Sequence, residues 1–323
     1  MVSSHRALGL LPLTEERRQL QTARLDAAPA YRIDYAWADY DTMPSLRWSN
    51  DFDDLLAERS ALREKYEIAG YSLQPWHLFG ALPLDRKKSN ILVWNQGNRP
   101  SCSMHAAAHA YQASELVSIA LGAPCYYDAV NPIYNYYIGR GGNYAGGLDL
   151  LTVASEINQR GMFPASIVGE DNITAHKEGL AKEDEAAAHQ AGLVTIEDDY
   201  VERIIRVCKG LGAVCFGSGV YATSASVDNN GLRVMQSFSA GGHAQAFFGY
   251  KRVGKEDYVF NQNSHGNLYG KSPNEPESGA WVTRKQLERY ARDMGAYGYP
   301  LAVFAEAEPM AEILPNTFAL PRL

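Results

Sequence analysis

The sequence predicts an α+β protein, and three observations lead there. An alanine-rich run with strong helix-forming content opens at Cys102 and continues to Gly122. Further helical patterns cover residues 50–67, 148–159 and 198–209, so helices dominate the first two-thirds of the chain. Strand patterns gather behind residue 213, where two apolar runs joined by a short charged turn read as an antiparallel hairpin. Helices followed by strands is the order expected of an α+β architecture.

Each element has a local reason. Thr14 is placed to cap a short helix, with Glu15 and Glu16 in its first turn where the helix dipole favours negative charge. A tyrosine- and aspartate-rich connection, Y-R-I-D-Y-A-W-A-D-Y-D, follows at 31–41. Ser49 or Asn50 starts a longer helix whose apolar stripe is Phe52, Leu55, Leu56, Leu62 and Tyr66, and G-Y-S-L-Q-P-W ends it. Residues 125–142 begin with Cys125 and are aromatic, then glycine-rich; they read as helix packing and a loop, or as tyrosines that line a groove. Arg140-Gly141-Gly142 has no strand–loop–helix setting for a dinucleotide and no following lysine for a phosphate loop. Gly161 closes the helix at 148–159, and Gly210 follows the one at 198–209. Residues 213–220 read as a buried strand. In the hairpin, the first strand opens at His243 and continues through A-Q-A-F-F-G-Y; the second covers 258–261 and leads to Asn263. A helix at 283–293, a strand at 301–304 and a proline-containing tail complete the chain.

Composition sets the outer limits. A hydrophobic content of 46% with 21% charged residues fits a soluble globular protein. The formal charge of −7 argues against a dedicated nucleic-acid surface. No run approaches 18 apolar residues, so no membrane span is expected, and no signal peptide is recognised. The four cysteines form no C-x-x-C pair, which favours a cytoplasmic or other reducing compartment. His176 and His189 lie in an acidic stretch, 170–189, that reads as a solvated insertion. His105 and His109, four apart on one helical face, read as packing residues. Neither group makes a metal signature, and no metal or other cofactor is expected.

One constellation carries chemistry. Cys102 stands at the first turn of its helix, where unpaired N–H groups and the dipole favour thiolate over thiol. Gln96 lies six residues upstream, across a Gly/Pro turn, where its amide can face a charge developing beside the sulfur. His243 and Asn263 sit at meeting ends of adjacent antiparallel strands. The amide can then hold one imidazole nitrogen while the other faces the thiol.

These segments resemble the papain-like cysteine peptidases, which carry a Q-G-x-x-x-x-C helix opening, a G-H-A strand and an N-S-W-G turn. The separation of roughly 140 residues between Cys102 and His243 suits that family. The resemblance implies a two-lobed fold, with a helical lobe bearing the nucleophile and an antiparallel sheet lobe bearing His and Asn. It implies Cys102 as nucleophile, His243 as general base and acid, Asn263 as orienting residue and Gln96 as oxyanion donor. Tyr144-Ala145-Gly146-Gly147 resembles the family's N-G-G loop. Gly146, Gly147 and, beside the histidine, Gly242 are then expected to contact an extended peptide or protein substrate. The likeness covers about residues 83–305, giving a core at 83–308, an N-terminal extension at 1–82 and a tail at 309–323. The extension reads as an inhibitory leader or as a permanent segment packed on the core or on an assembly partner.

The departures are specific. Ser103 and His265 stand where the family has tryptophans, Arg99 stands near its disulfide cysteine, and Pro100 removes a backbone N–H. His265 is then expected to shield the His243–Asn263 bond in place of an indole. The expected function is thiol-dependent peptide hydrolysis. Isopeptide cleavage or acyl transfer at the same site remains open, as does a structural or interaction protein that has kept the fold.

Overall fold

A computed structural model of the chain describes residues 10–28, 46–82, 87–88, 94–121, 126–142, 146–168, 191–266, 268–270 and 272–304. The connection at 31–41, Cys125, Tyr144 and Ala145, the acidic stretch 170–189 and the tail from residue 309 lie outside these described residues. In chain order the elements are α1 (Glu15–Ala27), β1 (Leu46–Arg47), α2 (Asn50–Ile68), α3 (Pro75–Ala81), α4 (Cys102–Ala120), α5 (Pro132–Gly139) and α6 (Leu150–Arg160). They continue with α7 (Ala165–Val168), β2 (Gly192–Thr195), α8 (Tyr200–Lys209), β3 (Ala213–Val227), β4 (Arg233–Val253), β5 (Glu256–Gln262), β6 (Gly279–Thr283), α9 (Arg284–Ala291), a 3-10 turn (Met294–Tyr297) and β7 (Leu301–Phe304).

The architecture is α+β. The strands form one sheet in the order β1-β2-β7-β3-β4-β5-β6, antiparallel through its centre, with β1 pairing parallel to β2 at one edge. Helix α4 is the hub, and all of its residues are buried. Its alanines, Ala106, Ala107, Ala110 and Ala113, share a core with Ala213, Cys215, Ala244 and Ala246 of β3 and β4. Small side chains on both surfaces let the helix lie close to the strands. The opposite sheet face packs under α2, α8 and α9 through Phe52, Leu56, Ile204, Phe247 and Leu287. Residues 46–82 therefore belong to the same sheet and cores as the chain that follows them.

Several local expectations change in detail. The strand carrying His243 begins ten residues earlier than its apolar run suggests, at Arg233, and β3 extends to Val227. The added length is a hairpin arm rich in serine, alanine and glycine, with Ala222 and Met235 buried in the core. Asp228 closes it by accepting the N–H groups of Asn230 and Leu232 at 2.8 and 2.9 Å. Pro75 opens α3 instead of merely ending α2, since a proline at the first helical position loses no hydrogen bond. The terminal helix starts one residue later than expected, because Thr283 ends β6 and makes a capping box with Gln286 at the junction, and it ends at Ala291.

Candidate active site

The nucleophile candidate is placed by α4. Cys102 is its first residue and is fully buried. Ser101 precedes it without a side-chain capping bond, so the opening N–H groups of the helix are not consumed by a cap. Burial raises the Tyr136 phenol, with Arg140 opposing and Cys102 adding to the shift, and burial and then Cys102 raise the Cys215 thiol. Cys215 and Cys208 are buried free thiols, and desolvation pushes Cys208 up to about 12 despite Arg63 nearby.

The histidine end is built by the β4–β5 ladder. Ala246 pairs with Gln262, which brings His243, before Ala246, to Asn263, after Gln262. His243 Nε2 lies 2.9 Å from Asn263 Oδ1, and both residues are fully buried. The amide orientation is determined by its other partners. Its Oδ1 also accepts the Ser264 backbone N–H at 2.7 Å, and its Nδ2 donates to the Tyr269 hydroxyl at 2.8 Å. A backbone N–H can only donate, so the oxygen faces His243, and His243 Nε2 must carry the proton. His265 stacks on His243 with ring centroids 4.6 Å apart and planes 12° from parallel. It is buried.

Gln96 joins the two ends. Its backbone N–H donates to Ser264 O at 2.8 Å, and its Oε1 accepts the Ser264 hydroxyl at 2.5 Å. Its Nε2 donates to Arg99 O at 2.8 Å, which fixes the amide across the turn preceding Cys102. Asn95 bridges His265 on the adjoining backbone. Ser264 therefore ties the loop before the nucleophile to the turn that holds the histidine.

His105, one turn along α4 from Cys102, donates its Nδ1–H to Ser101 O at 2.9 Å, since a carbonyl can only accept. Burial above all lowers it to about 4, the Ser101 hydrogen bond opposing and Arg99 and His243 adding to the shift. His109 packs on Trp94 and is lowered by burial to about 3. Among the described residues no group of three His, Cys, Asp or Glu is placed to hold a metal, and no helix is long and apolar enough to cross a membrane.

The expected substrate glycines meet an unexpected neighbour. Gly146 is exposed, and its carbonyl accepts the Tyr136 hydroxyl. Gly147 is buried, with its carbonyl 3.4 Å from Arg140 Nη1. Leu10, from the N-terminal segment, forms a parallel bridge with Leu148. On the opposite side, a Cβ at Gly242 would lie 2.9 Å from the Leu10 carbonyl oxygen, and one at Gly217 only 2.6 Å from Leu10 Cδ2. Leu10 thus lies between Leu148 and Gly242 and is itself buried. No pattern in the sequence marks Leu10, and none marks Ser264 or Tyr269 beyond their nearness to Asn263.

No family model matches this chain, and no curated protein matches it either. Among solved structures, the chain is similar to xylellain, a cysteine protease from Xylella fastidiosa, at 13% identity and a TM-score of 0.48, over 95% of this chain and 100% of that one. It is also similar to digestive procathepsin L 3 of Tenebrio molitor larval midgut, at 15% identity and a TM-score of 0.45, over 79% of this chain and 90% of that one. A third is the proform of the ragweed pollen allergen Amb a 11, a cysteine protease, at 15% identity and a TM-score of 0.46, over 72% and 65% of the two chains.

Proposed function

We propose that the chain hydrolyses peptide bonds through a thioester formed on Cys102. The observation that carries this reading is the commitment of His243 Nε2 to Asn263 Oδ1 at 2.9 Å. It leaves Nδ1 as the basic nitrogen of the neutral ring, on a strand packed against the helix that Cys102 opens. In the proposed reaction the Cys102 proton passes to Nδ1, and the thiolate adds to the substrate carbonyl carbon. The oxygen that gains charge is met by the Cys102 N–H and the Gln96 amide, an arrangement worth several kcal/mol in acyl transfer. The C–N bond then breaks, and the imidazolium gives its proton to the departing amine. Water adds to the thioester as His243 takes its proton. The C–S bond breaks, and the proton returns to sulfur as the acid leaves. Isopeptide cleavage or acyl transfer would use the same steps with a different amine or acceptor.

Leu10 favours a second reading of the resting state. A backbone paired with Leu148 and pressed against Gly242 occupies the path expected of a substrate, so the chain as folded is a closed form. Its own N-terminal segment must yield before an extended peptide can enter.

The test is the rate of Cys102 alkylation between about pH 4 and about pH 9, read by intact mass with peptide mapping, in wild type and H243A. The expected result is a reaction that persists well below the ordinary thiol range and loses its acid limb in H243A. A profile with an ordinary thiol midpoint, unchanged in H243A even after Leu10→Gly opens the path, would sink the catalytic reading and leave a scaffold. Cleavage of a peptide library that survives Cys102→Ala would sink the proposed nucleophile.

A further inference from the structure

Beyond the four residues of the proposed machinery, the turn after β5 holds a buried phenol whose hydrogen bonds run in one forced direction. Tyr269 is 4% exposed. Its hydroxyl lies 3.0 Å from the Ala222 carbonyl oxygen on β3. A carbonyl can only accept, so the phenol proton is committed to Ala222, and the phenol oxygen offers its lone pairs elsewhere. Asn263 Nδ2 donates to that oxygen at 2.8 Å, and Gln245 Nε2 approaches it at 3.4 Å. The Asn263 oxygen is thereby turned towards His243 Nε2 and the Ser264 N–H. The chain runs from His243 through Asn263 and Tyr269 to a backbone carbonyl on another strand, and every donor in it has one possible direction. Bonds in such a series polarise one another.

We propose that Tyr269 is a positioning residue: its oriented phenol oxygen fixes the Asn263 amide, and with it the imidazole nitrogen of His243 that carries the proton. The proposal rests on the reading of His243 as the base. Without the phenol oxygen the Asn263 amide loses the acceptor for its NH₂ group and keeps only the Ser264 N–H to hold its orientation, and each amide that rotates presents its NH₂ group to Nε2. The ring would then shift its proton to Nδ1, which can no longer take one from Cys102.

Two readouts separate this role from simple packing. The first is the ring-nitrogen NMR of His243 in a Cys102→Ser background of the full chain, where no thiolate holds the imidazole charged. Protonation at Nε2 is expected in that parent, with a shift towards Nδ1 on Tyr269→Phe. The second is the alkylation profile of the otherwise wild-type chain, where Y269F is expected to lower the Cys102 rate at neutral pH roughly threefold to tenfold, the range of one lost hydrogen bond. Tyr269→Trp is the companion variant, because an indole fills the space but can only donate; it should reproduce the loss. The proposal is overturned if the parent ring carries its proton on Nδ1, or if either variant leaves both the ring-nitrogen shifts and the pH profile unchanged. A fall in melting temperature alone overturns it too, since that is what a packing role would give. The functional reading fails separately, through an ordinary thiol profile insensitive to H243A; the ring-nitrogen result still decides the role of Tyr269.

Discussion

Two pairs of buried histidines flank the start of α4, and they are held in opposite ways. His105 and His109 climb the helix itself, lowered by burial to about 4 and about 3, and each has an Nε2 atom without a hydrogen-bond partner among the described residues. His243 and His265 lie face to face on the sheet side, and His243 Nε2 is taken up by Asn263. The first pair is neutral because ionising it would mean burying a charge with little compensation. In the second, His243 commits its nitrogen to a side chain that Tyr269 and the Ser264 N–H hold in turn, whereas His105 commits Nδ1 to the Ser101 carbonyl at the start of its own helix. A committed nitrogen is common to His105 and His243; what sets His243 apart is the side-chain network behind its partner.

The largest effect that would break this comparison concerns the two rings nearest Cys102. His243→Ala should lower acylation of Cys102 by on the order of a thousandfold, while His105→Gln should change it by less than tenfold. Equal losses in single-turnover assays would remove the distinction. Next comes acid sensitivity. The His105 and His109 pKa values are depressed in the folded chain, so below about 6.5 the unfolded state takes up protons that the native state refuses. Their contribution is complete above pH 6.5 and is lost as pH falls towards about 4 and about 3. His105 alone should account for a loss on the order of 3 kcal/mol by pH 4. Urea midpoints measured down that range in wild type and His105→Gln should converge in slope if another group is responsible.

Leu10→Ala should destabilise the fold by roughly 2–4 kcal/mol and speed alkylation of Cys102. It removes apolar volume packed against Gly217 and beside the His243 strand. A slower alkylation would show that Leu10 supports the site instead of covering it. The smallest effect belongs to the stack. His265→Ala should slow acylation about threefold by wetting the His243–Asn263 bond, and His265→Phe should restore most of the rate. If both variants behave alike, the imidazole matters for something other than cover.

Much of this arrangement was legible in the sequence because it follows from periodic signals. The alanine run and the turn before it fixed where α4 begins, and the apolar runs on either side of residues 251–257 brought residue 243 to residue 263. Tyr269 was not legible: it sits in an irregular turn, and one more tyrosine among 20 carries no pattern. Leu10 was hidden for a different reason. Its partners, Leu148, Gly217 and Gly242, are distant in sequence, and the glycines that make room for it look like ordinary strand interruptions. The extension of β4 back to Arg233 was missed because serine, alanine and glycine dilute the alternation that marks a strand. Edge pairing by only two residues, Leu46 and Arg47, lies below any sequence signal.

The N-terminal segment has a consequence for how the molecule is made. Leu13 donates its N–H to Ala296 O at 3.0 Å, and the Gly242 site beside Leu10 is also lined by Tyr297. On the ribosome, residues 10–13 emerge well before their partners, and their seat does not exist until almost every strand has been synthesised. At about 5–20 residues per second, the segment waits for tens of seconds. Docking of residues 10–13 therefore follows the synthesis of β6, and a nascent chain passes through a stage in which Leu148 and Gly242 are present but not yet covered by Leu10.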